Sequence, residues 1–252
     1  MANPAGSAAG SVDSAEVARF DALARRWWDP SGPMAPLHRL NPLRLGYLRD
    51  RLALHFGRDT RSLSPFTGLS LLDIGCGGGL VSEPMARLGF KVTGIDAAPT
   101  NLAVAERHAA ESDLAIDYRE AAAEDLAEAG ESYDAVLALE VVEHVADPSL
   151  FLAAAARLVR PGGAFIGSTL NRTPKSFLLG IVGAEYVLRW LPPGTHRWDR
   201  FMRPSEFAAA LRGQGLVLQD LTGASYDLLA RRWRLGHDLE VNYFLHAAKL
   251  AG

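Results

Sequence analysis

The sequence feature that most restricts the fold is a glycine-rich turn between an apolar run and a predicted helix. The run and the turn read Leu71-Leu72-Asp73-Ile74-Gly75-Cys76-Gly77-Gly78-Gly79, and the helix is predicted to begin near Leu80. A strand that passes directly into a helix needs positive or strained φ angles, and a ligand packed on the backbone needs residues without Cβ. Gly75 and Gly77 meet both needs. Many such turns bind no ligand, so the turn alone does not decide whether this chain binds one.

Short apolar runs alternate with longer helical segments along much of the chain. The predicted strands are Leu69–Ile74, Lys91–Ile95, Leu114–Tyr118, Tyr133–Leu139 and Gly163–Thr169. Helices predicted at Pro99–Glu111 and Pro148–Val159 would connect strands as crossovers, which makes those strands parallel. Two later runs, Leu216–Leu221 and Val241–Lys249, follow one another without a long helical crossover, so we expect an antiparallel pair at one sheet edge. The predicted fold class is α/β, a mostly parallel, doubly wound sheet with an antiparallel edge strand.

Two helices are predicted before the sheet, and one long segment interrupts the later part of the chain. Ser14 is a candidate N-cap for a helix that runs to about Trp28, and Asn41 with Pro42 would begin the second helix. Residues 1–13 are rich in Ala, Gly and Ser and are expected to be a disordered N-terminus, while residues 14–252 form one domain. Residues 171–203 are too long for an ordinary loop and are predicted to form a lid or substrate insertion.

Composition and charge narrow the classes of function. The chain has 252 residues, a formal net charge of −3 and a sequence pI of about 6.2, whereas proteins that bind nucleic acid are normally basic. Nucleic acid is therefore not an expected partner. The single cysteine, Cys76, cannot form an internal disulfide, which suits a reducing cytoplasm. No run of about 18 apolar residues occurs, so any membrane contact is expected to be peripheral.

A carboxylate at the end of the second predicted strand adds a ligand contact. Asp96 stands about twenty residues after the glycine turn, where it can accept hydrogen bonds from both ribose hydroxyls of an adenosine ligand. A simple helix N-cap is the alternative role. NAD and S-adenosylmethionine would both use such a carboxylate. However, the turn is spaced G-x-G-x-G, and Leu80 stands where a dinucleotide fingerprint needs a small residue, which argues against an NAD oxidoreductase.

Asp73 and the glycines after it resemble the D-x-G-x-G-x-G loop of class I S-adenosylmethionine-dependent methyltransferases. The resemblance implies a Rossmann-like class I fold with S-adenosylmethionine as the cofactor. It also implies that Asp73 anchors the loop and the ammonium end of the cofactor, and that Ala123-Glu124-Asp125 flanks the adenine. A methyltransferase of another small molecule and a non-catalytic protein that binds S-adenosylmethionine are the alternatives.

Three ionisable residues follow the fourth predicted strand, in Leu139-Glu140-Val141-Val142-Glu143-His144-Val145. Glu140, Glu143 and His144 stand at i, i+3 and i+4, so they share one face if the segment is helical. Such a cluster beside the cofactor could bind a divalent metal such as Mg²⁺, or His144 could be a general base. The alternative role is structural, in which the segment forms the floor of the cofactor site and His144 orients a loop. His38 and His196, both in loops, are secondary candidates.

Longer blocks resemble one family, the O-methyltransferases of ubiquinone biosynthesis. The blocks are Phe20-Asp21, Arg25-Arg26-Trp27-Trp28-Asp29, Pro36 to Tyr47, Ser168 to Arg172, Val182 to Tyr186, Pro193 to His196 and Val241 to Tyr243. The resemblance implies methyl transfer to phenolic hydroxyls of polyprenylated ubiquinone precursors, with Arg44, Gly75, Asp96 and Leu139 contacting the cofactor. A guanidinium presented by the N-terminal helix would pair bidentately with the methionine carboxylate of the cofactor.

A polyprenylated substrate resides in lipid, so this resemblance implies a cytoplasmic enzyme that works at the inner face of the membrane. The predicted lid carries an apolar set, namely Phe177, Leu178, Ile181, Val182, Val187, Leu188 and Leu191. We expect this set to contact the membrane while Lys175, Arg189, Arg197 and Arg200 meet anionic headgroups. Packing of the lid helix on the core is the alternative. Other ubiquinone-biosynthesis proteins are further candidate partners.

Overall fold

The computed structural model describes residues 10–179, 181, 197–227, 230 and 232–251. Its helices are α1 (Ser14–Asp21), α2 (Ala35–Phe56), α3 (Ser82–Arg87), α4 (Pro99–Glu111), α5 (Ala123–Glu128), α6 (Pro148–Leu158), α7 (Pro174–Ser176) and α8 (Pro204–Gly213). Its strands are β1 (Ser70–Ile74), β2 (Lys91–Asp96), β3 (Asp117–Glu120), β4 (Tyr133–Leu139), β5 (Val159–Leu170), β6 (Leu216–Asp227), β7 (Arg232–Gly236) and β8 (Asn242–Lys249). Short 3-10 helices occur at Ala24–Arg26 and Trp198–Arg200.

The eight strands form one sheet in the order β3-β2-β1-β4-β5-β8-β6-β7. The five strands from β3 to β5 are parallel neighbours, and β8, β6 and β7 continue the sheet antiparallel. The predicted α/β class, with its mostly parallel sheet and antiparallel edge, is confirmed. The antiparallel part is larger than predicted because it includes β7, whose mostly exposed sequence lacks the apolar run of a buried strand.

Side chains from the two faces of the sheet pack into separate cores. Leu71 and Leu72 are neighbours on β1 but belong to different buried clusters, since successive strand residues point to opposite faces. Every residue of β4 is buried, as expected for a central parallel strand covered on both faces. The strand order reverses between β1 and β4, and such a reversal opens a crevice at the carboxyl ends of the strands. The fold therefore places the glycine turn and Asp96 at this crevice.

The first helix differs from its prediction at both ends. Its N-cap is Asp13, whose carboxylate accepts hydrogen bonds from two helical amides at 3.0 and 3.4 Å. Ser14 is therefore the first helical residue, and the helix ends at Asp21 instead of near Trp28. Ser11, within the segment expected to be disordered, is buried, and its carbonyl accepts a hydrogen bond from the amide of Ala146 at 2.7 Å. Residues 1–9 lie outside the described residues.

Two further predicted boundaries are wrong. The helix α2 begins at Ala35, so Asn41 does not cap it and Pro42 lies in its interior. A proline there forfeits one helical hydrogen bond, and the helix persists because it packs its apolar face on the core, through Leu40, Tyr47, Leu48 and Leu52. The third strand is Asp117–Glu120 rather than Leu114–Tyr118.

The predicted lid, residues 171–203, is described only at its ends. Residues 180 and 182–196 lie outside the described residues, and with them His196, Arg189 and much of the predicted apolar set. The described ends are the short helix α7 with the residues up to Leu179, Ile181, and the segment from Arg197 onward. Within the part of the chain that the structure describes, no helix combines the length and the apolarity needed to cross a membrane.

A buried histidine in β8 makes the fold sensitive to acid. His246 is only 5% exposed, and its Nε2 has no hydrogen-bond partner among the described residues. Burial, together with the nearby ring of His55, lowers the pKa of His246 to about 4, whereas an unfolded histidine titrates near pH 6.5. As the pH falls below about 6.5, His246 binds a proton in the unfolded chain, whereas in the folded chain it remains neutral until about pH 4. The folded state is therefore destabilised relative to the unfolded state across this pH range.

Between pH 7 and pH 5, we expect this group alone to lower the free energy of unfolding by about 2 kcal/mol. Urea denaturation of the wild type and of His246→Gln at both pH values measures the effect, since the variant cannot titrate there and the other groups cancel in the difference. An equal pH dependence in the two proteins would show that His246 does not cause the loss.

Candidate active site

A cavity of about 920 Å³ lies at the carboxyl ends of β1, β2 and β4, and its walls are mostly apolar. The nine principal residues that the sequence nominates for cofactor binding or catalysis line it, namely Arg44, Asp73, Gly75, Gly77, Asp96, Leu139, Glu140, Glu143 and His144. Cavities of this size hold small-molecule ligands in many proteins. The structure therefore brings the nominated residues together around one space.

The glycine turn has the strained backbone that the sequence predicts. Gly75 and Gly77 have φ angles of +68° and +55°, a region that other residues rarely adopt. Neighbouring side chains also exclude a Cβ at both positions. A Cβ on Gly75 would lie 2.6 Å from Cγ2 of Val141, and one on Gly77 would lie 2.4 Å from the ring of Trp27. Trp27, which precedes α2, thus lies across the turn.

The carboxylate of Asp96 holds the glycine turn in place. Its Oδ2 accepts a hydrogen bond from the amide of Gly77 at 2.9 Å, and its Oδ1 accepts from the amide of Ala98 at 2.8 Å and from Nδ2 of Asn101 at 3.3 Å. Asn101 in turn accepts a hydrogen bond from the indole of Trp27 at 2.7 Å. Burial raises the pKa of Asp96. Each carboxylate oxygen has two lone pairs, so these contacts leave capacity for a ligand.

Asp73 is buried beneath the turn. Its carboxylate accepts a hydrogen bond from Oγ of Ser82 at 2.6 Å, which ties the end of β1 to the first turn of α3. Burial raises the pKa of Asp73 to about 6. A buried carboxylate next to a cavity attracts a cationic group because its charge is poorly solvated.

Arg44 projects from α2 into the cavity and is only 4% exposed. Its guanidinium donates to Oε2 of Glu140 at 3.3 Å and, through Nη2, to Oδ1 of Asn41 at 2.9 Å. Asn41 also donates to the carbonyl of Leu80 at 2.9 Å, so it links the helix to the glycine turn. Arg44 therefore does not lie on the solvent-exposed face of the helix.

Glu140, Glu143 and His144 line the cavity without sharing a helical face. Glu140 has a positive φ of +56°, and the residues after it form turns rather than a helix. Glu140 accepts a hydrogen bond from Oγ of Ser168 at 3.1 Å, and Glu143 accepts one from Oγ1 of Thr169 at 2.9 Å. The condition for a common helical face is therefore not met, because the backbone takes a left-handed conformation at Glu140 and no helix follows it.

The arrangement of these three side chains does not fit a shared metal ion. Arg44 engages Glu140, His144 engages a carboxylate of α1, and Glu143 is fully buried with its pKa raised by that burial. Among the described residues, no group of three or more His, Cys, Asp or Glu side chains could hold a metal ion. The hypothesis of a Mg²⁺ site at Glu140, Glu143 and His144 is not supported by this geometry.

Sequence reasoning missed the contribution of α1 to the site. The carboxylate of Glu16 lies 2.9 Å from Nδ1 of His144, and the ring of Phe20 meets the same imidazole edge-on, with centroids 5.1 Å apart. The contact between Glu16 and His144 spans 128 positions of sequence. No spacing or motif could reveal such a pair from one sequence, although Glu16 and Phe20 stand at the i, i+4 spacing of one helical face.

The remaining candidates lie elsewhere. Nε2 of His38 lies 2.8 Å from the carbonyl of Trp27, and His38 lines a smaller pocket outside the main cavity. His196 falls outside the described residues. In the segment expected to flank adenine, Ala123 lines the cavity. The carboxylate of Glu124 instead accepts a hydrogen bond from the backbone amide of Ser11 at 3.2 Å. Asp125 caps its own helix.

A known protein family covers the part of the chain that contains most of this site. A methyltransferase domain family matches residues 72–167, a span that includes the glycine turn, Asp96 and His144. The fold is similar to magnesium protoporphyrin IX methyltransferase from Synechocystis PCC 6803 with bound SAH, with a TM-score of 0.64, 21% identity and coverage of 92% of this chain and 94% of that chain. The chain is an S-adenosylmethionine-dependent methyltransferase.

Its relatives narrow the class further. The chain is 58% identical to the ubiquinone biosynthesis O-methyltransferase of Azorhizobium caulinodans, over 93% of each chain. It is 54% identical to the enzyme of the same name from Methylobacterium nodulans, over 95% of this chain and 96% of that one. The chain belongs to the family of ubiquinone biosynthesis O-methyltransferases, which confirms the resemblance in its sequence.

Proposed function

We propose that this enzyme methylates phenolic hydroxyls of two polyprenylated ubiquinone precursors, 2-polyprenyl-6-hydroxyphenol and 3-demethylubiquinol, with S-adenosylmethionine as the donor. The observation that carries the proposal is the composition of the cavity. It joins the glycine turn and Asp96 to His144, and it continues along mostly apolar walls to Ala224 and Trp233 on the antiparallel strands. Such a space suits a charged cofactor at one end and an apolar substrate at the other.

In this proposal the two charged groups of the methionine end meet side chains of opposite charge, and the ribose meets a hydrogen-bond acceptor. Asp96 accepts hydrogen bonds from the ribose hydroxyls, and Leu139 packs beside the cofactor. The carboxylate of the methionine moiety pairs with Arg44, which then exchanges its contact with Glu140 for the ligand. Asp73 attracts the ammonium group. The support for these roles is that all four side chains line the same cavity.

The proposed chemistry needs a group that removes the phenolic proton. A phenol has a pKa of about 10, so little phenolate exists at neutral pH. His144 accepts the proton from the hydroxyl as the oxygen attacks the methyl carbon. The carbon–sulfur bond breaks with its electron pair passing to sulfur, which yields the methyl ether, S-adenosylhomocysteine and protonated His144. Holding the oxygen and the methyl carbon in line contributes about 7 to 11 kcal/mol in favourable cases.

The experiment that tests this function is methyl transfer from labelled S-adenosylmethionine to short-chain analogues of the two precursors, followed by mass spectrometry of the products. We expect methylation at the free phenolic hydroxyl of both analogues. Transfer to an unrelated phenol but to neither analogue would favour a methyltransferase of another small molecule. Cofactor binding without any transfer would favour a non-catalytic binding protein.

A second part of the proposal concerns how a lipid substrate reaches the cavity. Phe177, Leu178 and Leu179 are exposed beside α7, and Trp198 is exposed after the undescribed part of the lid. Leu179 also lines the cavity. Large apolar side chains clustered at a surface indicate a contact with a protein or a membrane. These residues support a peripheral contact with the cytoplasmic face of the membrane near the entrance of the site.

Three of the four basic residues expected at this surface have acidic partners, and the fourth, Arg189, lies outside the described residues. Lys175 pairs with Asp238 and Glu240, and two arginines pair likewise, Arg197 with Asp199 and Arg200 with Asp13. The support for membrane contact therefore rests on the apolar residues rather than on a free cationic patch.

We expect the wild-type protein to sediment with vesicles that contain anionic lipid, and the double variant Leu178→Glu with Ile181→Glu to lose this binding while it still binds cofactor. A matched control is Leu54→Glu with Leu63→Glu, since these leucines are 75% and 90% exposed but lie away from the lid. The control should sediment like the wild type. Absence of wild-type binding, or equal losses in the two double variants, would refute the membrane contact.

A further inference from the structure

The imidazole of His144 is clamped by two residues of α1. Oε2 of Glu16 lies 2.9 Å from Nδ1 of His144, and the ring of Phe20, one helical turn later, packs edge-on against the imidazole. The side chains of Glu16 and His144 are only 17% and 16% exposed, so solvent weakly competes for this contact. Helix α1 thus completes the surroundings of His144, which follows strand β4 of the parallel sheet.

The Glu16 contact fixes which nitrogen of His144 carries a proton. An ionised carboxylate can only accept hydrogen bonds, so the short contact requires a proton on Nδ1. The neutral imidazole then carries its basic lone pair on Nε2. His144 also holds the pKa of Glu16 below its usual range, which keeps the carboxylate ionised. When Nε2 accepts a proton, the adjacent negative charge stabilises the imidazolium.

We propose that Glu16 is a positioning residue for the methyl transfer, because its carboxylate orients His144, fixes its tautomer and stabilises its protonated form. This inference rests on the proposed role of His144 as the base. Glu16 touches neither substrate nor cofactor in this role and acts only through the imidazole.

Several contacts hold α1 where Glu16 can act. Asp13 pairs with Arg200 at 2.8 Å, and the amide of Thr100 donates to Asp21 at 3.1 Å. The other charged groups that act on the Glu16–His144 pair are Arg19 of α1, which lies 2.9 Å from Glu16, Arg200, and Glu143 of the turn that carries His144. These groups remain in place when Glu16 alone is changed.

The decisive variant is Glu16→Gln, which keeps the size of the side chain and removes its charge. We expect kcat to fall about tenfold to a hundredfold. The acidic limb of the kcat/KM profile should move to lower pH, because protonation of the imidazole is no longer favoured by a neighbouring negative charge. The affinity for S-adenosylmethionine should not change. A merely structural role for Glu16 would not move the pH limb.

The matched control is Glu106→Gln, the same substitution at an exposed position of α4 that is not among the residues lining the cavity. Its pH limb should coincide with that of the wild type. In a His144→Gln background, Glu16→Gln should lower kcat little further, because two residues that act as a unit are not additive. An equal loss in both backgrounds would overturn the inference.

The two proposals fail in distinguishable ways. Normal turnover in His144→Gln would reject His144 as the general base and, with it, the positioning role of Glu16. Impaired His144→Gln together with a normal rate and an unshifted pH limb in Glu16→Gln would overturn the inference alone. Histidine nitrogen NMR of the wild type tests the inference without any variant, since neutral His144 should carry its proton on Nδ1. A dominant Nε2–H form would contradict it.

Discussion

Replacing His144 with glutamine should lower kcat by about 100- to 10,000-fold, which is the usual contribution of a positioned general base. The imidazole lines the cavity beside the glycine turn and Asp96, and glutamine cannot accept a proton at neutral pH. Cofactor affinity should persist because the nominated cofactor contacts lie on other residues. Single-turnover kinetics with saturating S-adenosylmethionine, together with calorimetry of cofactor binding, separate the two effects.

The pH dependence sharpens this test. As the pH approaches about 10 the phenol ionises without help, so the deficit of His144→Gln should shrink there. His237→Gln is a matched control, because His237 is exposed and is not among the residues that line the cavity. A deficit that stays constant with pH, or one explained entirely by weaker cofactor binding, would contradict the assignment of His144 as the base.

Asp96→Ala should weaken the binding of S-adenosylmethionine by about 10- to 150-fold. Two ribose hydroxyls lose a charged acceptor, which costs about 1.5 to 3 kcal/mol. The amide of Gly77 loses its acceptor as well, so the turn itself loosens. Isothermal calorimetry with S-adenosylmethionine and with S-adenosylhomocysteine measures the loss. Both ligands should be affected equally, since both carry the same ribose.

Asp96→Asn serves as the graded comparison. The amide oxygen still accepts one set of hydrogen bonds but the charge is gone, so the affinity should fall between those of the wild type and Asp96→Ala. Thermal denaturation without ligand checks that each variant is folded. Wild-type affinity in a folded Asp96→Ala protein would reject the ribose contact and leave Asp96 as a support for the turn.

The parts of the site that could be predicted are those that local geometry dictates. Gly75 and Gly77 are glycines because the backbone there has positive φ, and a strand followed at once by a helix signals this in the sequence. Asp96 follows from the same logic, since parallel neighbours end at the same edge of the sheet. Four of the five parallel strands were predictable for a similar reason, because buried strands are apolar runs with helices between them. The third, Asp117–Glu120, is polar and not buried, so its predicted bounds were wrong.

The parts that could not be predicted depend on distant residues or on competing local signals. Glu16 meets His144 across 128 positions, and one sequence contains no trace of that pairing. The i, i+3, i+4 spacing of Glu140, Glu143 and His144 suggests a helix, but a left-handed backbone conformation at Glu140 overrides it. Asn41 followed by Pro42 is a typical start signal, yet the apolar face of α2 extends the helix back to Ala35.

The contact between Trp27 and the glycine turn has a consequence for protein engineering. A Cβ at position 77 would lie within 2.4 Å of that indole ring, so the two positions, fifty residues apart, constrain one another. A chimera that receives the nucleoside-binding half of this enzyme without its first helices would expose the turn and remove the partner of Asn101. Conversely, a donor loop with alanine at position 77 would fit only with a smaller residue at position 27. Grafts between members of this enzyme class should therefore exchange both segments as a single module.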